Sequence, residues 1–204
     1  MDYASAFKKP FTDIKKLIIG ILLSIVPIVN FFATGFMMET AKMEMKKKKM
    51  LPEWTAWGDL FVKGILAFVI SILYALPMII IGAFVAWPLL KGAISSGVTP
   101  MAFGTGMGGG IVAVLLLGLL IAYIAPSALL HYVKDGKFGA AFQFGSVFKK
   151  AFKKEYFFAW AIAMLYSLII GFILSYIPFI GSAASGFIAG VTMFSLLGEV
   201  FPKL

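Results

Sequence analysis

Four long apolar stretches limit what this chain can fold into more than any other feature of the sequence. They cover residues 17–38, 60–90, 111–133 and 156–201. A helix needs about 20 apolar residues to cross the ~30 Å hydrocarbon core of a membrane, and each stretch reaches that length. The chain is also 61% hydrophobic and only 13% charged, so it would expose too much apolar surface in water. The sequence therefore predicts an all-α integral membrane protein, a helical bundle.

The last stretch is too long for a single span, and Pro178 lies near its middle. Proline interrupts a helix because it lacks a backbone N–H and its ring clashes with the preceding turn. We therefore expect two spans joined at Pro178. With 60–90 and 111–133, this interpretation gives four full spans.

An internal repeat relates the end of the chain to its beginning. Residues 7–36 resemble residues 148–187, and within them 17–36 align without gaps on 168–187 with 10 of 20 positions identical. The matched positions include Pro27 with Pro178. Similar segments within one chain indicate a repeated structural unit. We therefore expect Pro27 to form a turn like the one predicted at Pro178.

Two interpretations of residues 17–38 stay open at this point. In the first, Pro27 joins two arms of 11 and 12 residues, each rising about 16–18 Å, in a re-entrant or thinly spanning hairpin. In the second, one continuous helix crosses the membrane with a proline kink. The hairpin puts 17 of the 18 lysines on one side, with Lys91 alone opposite, and lysine marks the cytoplasmic side.

We therefore predict one transmembrane domain, residues 1–204, with about six membrane segments: four full spans and the N-terminal hairpin. The protein would be multi-pass in the cell membrane, with both termini cytoplasmic. Because both copies of the repeat start on the same side, the repeat is parallel. Two further stretches, 52–63 and 138–155, have apolar residues at helical spacing and predict amphipathic helices in the membrane interface.

Several short motifs also resemble a known family. They include Ile25-Val26-Pro27-Ile28-Val29-Asn30, Leu51-Pro52-Glu53-Trp54, Trp57-Gly58-Asp59-Leu60-Phe61 and Ala141-Phe142-Gln143-Phe144-Gly145. The pattern is similar to that of archaeal and bacterial multi-span membrane proteins that share a domain of unknown function. The LPEW segment is its most specific part. The resemblance implies a helical membrane fold and brings no substrate.

The composition argues against enzyme chemistry and against bound cofactors or metals. The chain has no cysteine, and His131 is its only histidine, so neither a thiolate site nor a histidine cluster exists. We expect His131 to be an interfacial residue. The stretch Gly104–Gly109 fits G-x-G-x-x-G by its letters, but it lies between apolar helices, so we interpret it as a loop. No nucleic-acid-binding motif accompanies the net charge of +9.

The lysines and tryptophans near the ends of the apolar stretches are candidates for contact with anionic lipid headgroups. They are Lys8, Lys9, Lys15, Lys16, Trp54, Trp57, Lys149, Lys150, Lys153 and Lys154. Such lysines each contribute about 1 kcal/mol when they are well placed. Membrane lipids are therefore the first expected partner.

Polar groups inside the apolar stretches are a second kind of candidate. Asn30, Thr34 and Glu39 follow the Pro27 turn, and polar groups within a membrane often belong to a transport pathway. The prolines are expected to set turns or kinks. They are Pro27, Pro77, Pro126 and Pro178. Gly186 and Gly190 predict close helix packing, within the chain or against a second copy.

The sequence leaves two functions in competition. The first is a non-enzymatic scaffold or interaction protein that engages anionic lipid or a partner protein through its lysine-rich cytoplasmic face. The alternative is a small channel or transporter, with a pathway near the proline turns and Asn30, Thr34 and Glu39.

Overall fold

The computed structural model describes the backbone of residues 3–96 and 108–204 and the side chains of residues 3–87 and 109–204. These residues form α-helices and short 3-10 turns and contain no strand. The helices are α1 (Tyr3–Lys8), α2 (Ile14–Ile25), α3 (Asn30–Met45), α4 (Trp57–Ser96), α5 (Gly108–Asp135), α6 (Phe144–Ala151), α7 (Lys154–Leu174) and α8 (Ile180–Val200). The all-helical fold predicted from the sequence is confirmed.

Four of these helices are long and apolar enough to cross a membrane. The qualifying segments are Trp57–Trp87, Gly109–Asp135, Lys154–Leu174 and Ile180–Lys203. Each corresponds to one predicted full span, because the break near Pro178 divides residues 156–201 as expected. The segment in α8 is 56% buried, whereas the other three are 17–22% buried. Helix α8 therefore lies at the centre of the bundle, and α4, α5 and α7 expose apolar faces as lipid-facing helices do.

The N-terminal apolar stretch forms two helices and not one. Helix α2 has 12 residues and rises about 18 Å, and α3 has 16 residues and rises about 24 Å. Asp13 caps α2 by accepting a hydrogen bond from the backbone N–H of Lys16 at 3.1 Å. The chain leaves the helix after Ile25 and begins the next at Asn30, so the single kinked helix is wrong.

The turns at Pro27 and Pro178 have matching backbone geometry. Ile28 and Phe179, which the repeat aligns, both have positive φ, 72° and 62°. The N–H of Asn30 donates to the carbonyl of Val26 at 3.0 Å. At the aligned positions, Gly181 donates to Ile177, also at 3.0 Å.

Helices α3 and α4 cross at two glycines. A methyl group added at Gly35 would overlap the backbone carbonyl of Leu60, and one added at Gly64 would overlap the carbonyl of Phe31. Gly35 thus faces Leu60, four residues before Gly64, and Gly64 faces Phe31, four residues before Gly35. Small residues allow this approach because they remove the side chains that would separate the two backbones.

The lysine-bearing ends of several helices meet at one end of the bundle. Near the end of α3, Glu44 approaches Gly198 of α8 and pairs with Lys9. Near the end of α5, the His131 ring packs edge-on against Phe201 at 4.8 Å. These contacts join the ends of α3, α5 and α8 and the segment before α2.

The two amphipathic helices expected at the interface differ from the prediction. Residues 52–56 are not helical, and Trp57 begins the 40-residue helix α4. The Trp54 ring is stacked on Phe36 at 4.3 Å, which holds the chain in a turn before the helix starts. The stretch 138–155 is divided into a 3-10 turn, α6 and the start of α7. It packs on α5, since Ser127 donates to the carbonyl of Val147 at 3.1 Å.

Candidate functional site

Two of the predicted transport residues line a cavity beside the Pro27 turn. This cavity, the turn-side cavity, has a volume of about 490 Å³ and lies among α3, α4, α5 and α8. Asn30, Thr34 and Ser71 contribute its polar groups. The Thr34 hydroxyl donates to the carbonyl of Asn30 at 3.2 Å, so it is satisfied within its own helix. The rest of the lining is mostly apolar, and Met38 lies at the end of the cavity that is farther from the Pro27 turn.

Glu39 lies in a second cavity, of about 340 Å³, between α3, α4 and α5. We call it the lysine-side cavity. Its main feature is an ion cluster in which the Nζ of Lys63 donates to Glu39 at 2.6 Å and also pairs with Asp59. Lys63 is 17% exposed and Glu39 is 26% exposed, whereas Asp59 is 59% exposed, so one ammonium balances a partly buried carboxylate and a solvent-exposed one. Burial of a charge is tolerated when it is paired in this way.

Met38 separates the two cavities. Its side chain lines both of them and is 1% exposed. The spacing of Asn30, Thr34 and Met38 (i, i+4, i+8) places all three on one face of α3. Asn30 and Thr34 therefore share one cavity, and Glu39 lies in the other. The side chain of Met38 stands between them.

Lys9 is not available to lipid headgroups, which corrects the prediction for this residue. It is 3% exposed, pairs with Glu44 and donates to the carbonyl of Lys49 at 2.7 Å. A buried ammonium is costly unless its donors are satisfied, and these contacts satisfy it. Lys9 therefore ties the N-terminal segment to the end of α3.

Lys16 and Lys150 also make internal contacts. Lys16 pairs with Glu53 at 2.6 Å. Lys150 donates to the backbone carbonyl of Phe201 at 3.0 Å, and its ammonium lies 3.9 Å from the centre of the Phe201 ring. Burial lowers the pKa of Lys150, and the positive charges of Lys134 and Lys153 lower it further.

The remaining headgroup candidates are more accessible. Lys8, Lys15, Lys149 and Lys154 are exposed, and Lys153 is half-buried. Trp57 is 42% exposed. Trp54, in contrast, is 9% exposed. Its Nε1 donates to the carbonyl of Lys16 at 3.3 Å, so Trp54 is a core residue and not part of a headgroup belt.

The predicted helix-packing glycines have different surroundings. At Gly190 an added methyl group would overlap Met37 of α3, so this glycine allows close packing of α8 on α3. Gly186 has open space around its Cβ position. Contact of Gly186 with a second copy stays a prediction. Pro77 and Pro126 lie inside α4 and α5, which continue past them.

His131 is 4% exposed, more buried than an interfacial histidine would be. Its Nδ1 lies 2.8 Å from the carbonyl oxygen of Ser127. Within the described residues, no group of three potential metal ligands lies close together. Most of the stretch Gly104–Gly109 falls outside the described residues, and Gly108 and Gly109 lie at the start of α5.

Met38 and Lys63 are site residues that the prediction from sequence did not include. Methionine in an apolar stretch has no distinguishing pattern, and its position between two cavities depends on three helices. Lys63 was one of many lysines. The spacing of Asp59 and Lys63 (i, i+4) is a signal for an ion pair within a helix that was available from the sequence.

These features define a class: a helical membrane protein whose described residues include four apolar helices of spanning length. Residues 18–179 match the family described as Protein of unknown function (DUF4013). The match covers most of the chain, and the protein belongs to this family. Comparisons with curated proteins and with solved structures give no match.

Proposed function

We propose that the protein is a non-enzymatic membrane scaffold that engages anionic lipid headgroups through a lysine-rich cytoplasmic face. In this proposal it lies in the cell membrane with both termini cytoplasmic. The lysines that are exposed in the structure carry the proposal. They are Lys8, Lys15, Lys46, Lys47, Lys48, Lys49, Lys134, Lys137, Lys149, Lys154 and Lys203.

The distribution of carboxylates supports this proposal. Glu44, Glu53 and Glu39 pair with the partly or fully buried lysines at positions 9, 16 and 63. These carboxylates are thus paired with lysines that have little exposed surface, and the lysines that are exposed outnumber the carboxylates left to balance them. Such a surface attracts anionic lipid with about 1 kcal/mol per well-placed lysine.

Lipid retention tests the proposal directly. The protein would be reconstituted in nanodiscs of phosphatidylglycerol and phosphatidylcholine, and the lipids retained after detergent extraction would be counted by mass spectrometry. We expect enrichment of phosphatidylglycerol that falls in a Lys46→Gln, Lys47→Gln, Lys48→Gln variant and in high salt. The control is Lys91→Gln, which changes a lysine expected on the opposite side. No enrichment in the unmodified protein would contradict the proposal.

We propose passage of a small ion or polar solute as a second candidate function. The two cavities that meet at Met38 support it, because one has amide and hydroxyl groups and the other has an ion cluster. In this proposal the side chain of Met38 is the barrier between them. Apolar constrictions close pathways in channels by excluding water.

Flux into proteoliposomes tests this second function. Met38→Ala is expected to raise flux several-fold, and Asn30→Ala combined with Met38→Ala is expected to lower it again. Ser185→Ala combined with Met38→Ala is the control, because Ser185 belongs to the other copy of the repeat and lines neither cavity, so flux should stay raised. Equal flux through protein-free liposomes and the Met38→Ala variant would exclude a pathway at this residue.

A further inference from the structure

A groove between α5 and α7 has no role in the functions considered above. It has a volume of about 410 Å³. One wall is a stripe on α5 that includes Leu116, Leu119 and Tyr123, and the other is formed by Phe157 and Trp160 of α7. The spacings within each stripe are three, four or seven residues, which puts the members of a stripe on one helix face.

The polar atoms of the groove's aromatic residues are satisfied by the protein backbone. Trp160 donates its Nε1–H to the carbonyl of Ala122 at 3.0 Å. The Tyr123 hydroxyl donates to the carbonyl of Ala151. The two rings meet edge to face, with centres 5.0 Å apart. Because these donors are used, the groove presents hydrocarbon and ring surface to an occupant, as an acyl chain requires.

One end of this groove lies beside a group of lysines. Phe152 lines that end, and Lys149 lies three residues before it. Lys153 precedes Phe157 by four residues, at the start of the α7 stripe. From this end the leucines of α5 and Trp160 of α7 both run away from the lysines. The groove is therefore apolar along its length and basic at its mouth.

These lysines differ from those that stabilise the fold. Within the described part of the chain, Lys149, Lys153 and Lys154 form no ion pair and no side-chain hydrogen bond. Glu155 is the carboxylate next to them in the sequence, and it is exposed. The first backbone N–H groups of α7, which begins at Lys154, add a partial positive charge. An anion at this position would meet three ammonium groups with little competition.

We propose that the α5–α7 groove binds one anionic phospholipid, with an acyl chain between the leucines and Trp160 and the phosphate among Lys149, Lys153 and Lys154. The inference rests on the proposed lipid-binding function and gives it a defined site. A zwitterionic lipid would fill the same apolar groove but would gain less from the lysines. The site therefore discriminates by charge.

Quenching of Trp160 by brominated lipid tests this site. The fluorescence of Trp160 is obtained as the difference in tryptophan fluorescence between the unmodified protein and the Trp160→Phe variant, both in phosphatidylcholine vesicles. Dibromo-phosphatidylglycerol is expected to quench it at a several-fold lower mole fraction than dibromo-phosphatidylcholine. A Lys149→Gln, Lys153→Gln, Lys154→Gln variant is expected to lose that preference. Size-exclusion chromatography checks that each variant stays folded.

The matched control is the Lys46→Gln, Lys47→Gln, Lys48→Gln variant, which removes an equal charge elsewhere and should leave the preference at Trp160 unchanged. Equal quenching by both lipids in the unmodified protein, or an unchanged preference in the 149–154 variant, would overturn the site. If the site fails in this way while overall enrichment of phosphatidylglycerol persists, the broader lipid-binding function stands. Loss of both would refute that function as well.

Discussion

The hairpin α2–α3 and the hairpin α7–α8 have the same turn but different neighbours. Ile28 and Phe179 have φ of 72° and 62°, and each turn is closed by an equivalent hydrogen bond of 3.0 Å. Gly20, however, would overlap Phe187 if it gained a methyl group, while the aligned Gly171 has open space. The sequence repeat therefore specifies the backbone of a hairpin, and position in the bundle decides which of its small residues are used for packing.

The short segments before the two hairpins show the same contrast. Lys9 and Lys150 are aligned by the repeat, and each reaches past the end of the second helix of its own hairpin. Lys9 makes a buried ion pair there, whereas Lys150 is bound by a carbonyl and an aromatic ring. The two copies of the repeat therefore place a lysine in a similar position but give it chemically different partners.

The largest effect is expected from replacing these two lysines. Lys9→Met leaves the partly buried Glu44, which is 13% exposed, without its partner, and loss of one member of such a pair costs about 3 kcal/mol of unfolding free energy. Lys150→Met loses one hydrogen bond and one cation–π contact, or about 1 kcal/mol. Both values are measured by reversible unfolding in bicelles. Adding Glu44→Gln to Lys9→Met should recover much of the loss. Equal costs for the two lysine variants would contradict the difference in their surroundings.

A smaller effect is expected at the aligned glycines of α3 and α8. Gly35→Ala forces α3 away from the Leu60 backbone and should cost about 2 kcal/mol, in the range of overpacked cores. Gly186→Ala meets no atom and should be neutral or stabilise the helix by up to ~1 kcal/mol. The same unfolding assay compares them. A neutral Gly35→Ala would show that the crossing of α3 and α4 is looser than described.

The smallest effect is expected at the turns, where the two copies should behave alike. A side chain at positive φ costs about 1 kcal/mol, which glycine does not incur. Ile28→Gly and Phe179→Gly should therefore each stabilise the protein by up to ~1 kcal/mol. Both side chains are largely exposed, so their removal sacrifices little packing. Opposite signs for the two variants in the unfolding assay would break the equivalence of the turns.

Local signals in the sequence were sufficient for the four long apolar helices and for the two proline turns. The apolar runs gave the four spanning helices, and Pro27 and Pro178 marked the two turns. These predictions succeeded because both signals are local. The length of an apolar run can be counted in the sequence, and a proline interrupts the helix in which it stands. The separate interfacial helix predicted at 52–63 is wrong, because residues 52–56 are not helical and Trp57 already belongs to α4. The stacking of Trp54 on Phe36 is a long-range contact that no local window of sequence reveals.

Contacts between residues far apart in the chain could not be predicted, because only local patterns can be recognised in a single sequence. Lys8 and Lys9 are adjacent letters, yet one is exposed and the other is buried against Glu44, 35 residues away. Glycines are frequent in membrane helices, and only the pairing of α3 with α4 reveals that Gly35 and Gly64 face each other's helix. The polar residues Asn30, Thr34 and Glu39 were found from their positions, but their separation by Met38 requires the packed bundle.

The central claim is that both hairpins enter the membrane from the lysine-rich side. The chain contains no cysteine, so single cysteines can be placed and labelled in sealed vesicles with a reagent that does not cross the membrane. Lys8→Cys, Lys48→Cys and Lys149→Cys should all react from one side, and Phe179→Cys should react from the other. Labelling of Lys8→Cys and Lys48→Cys from opposite sides would contradict the claim, because the segment between them would then cross the membrane once.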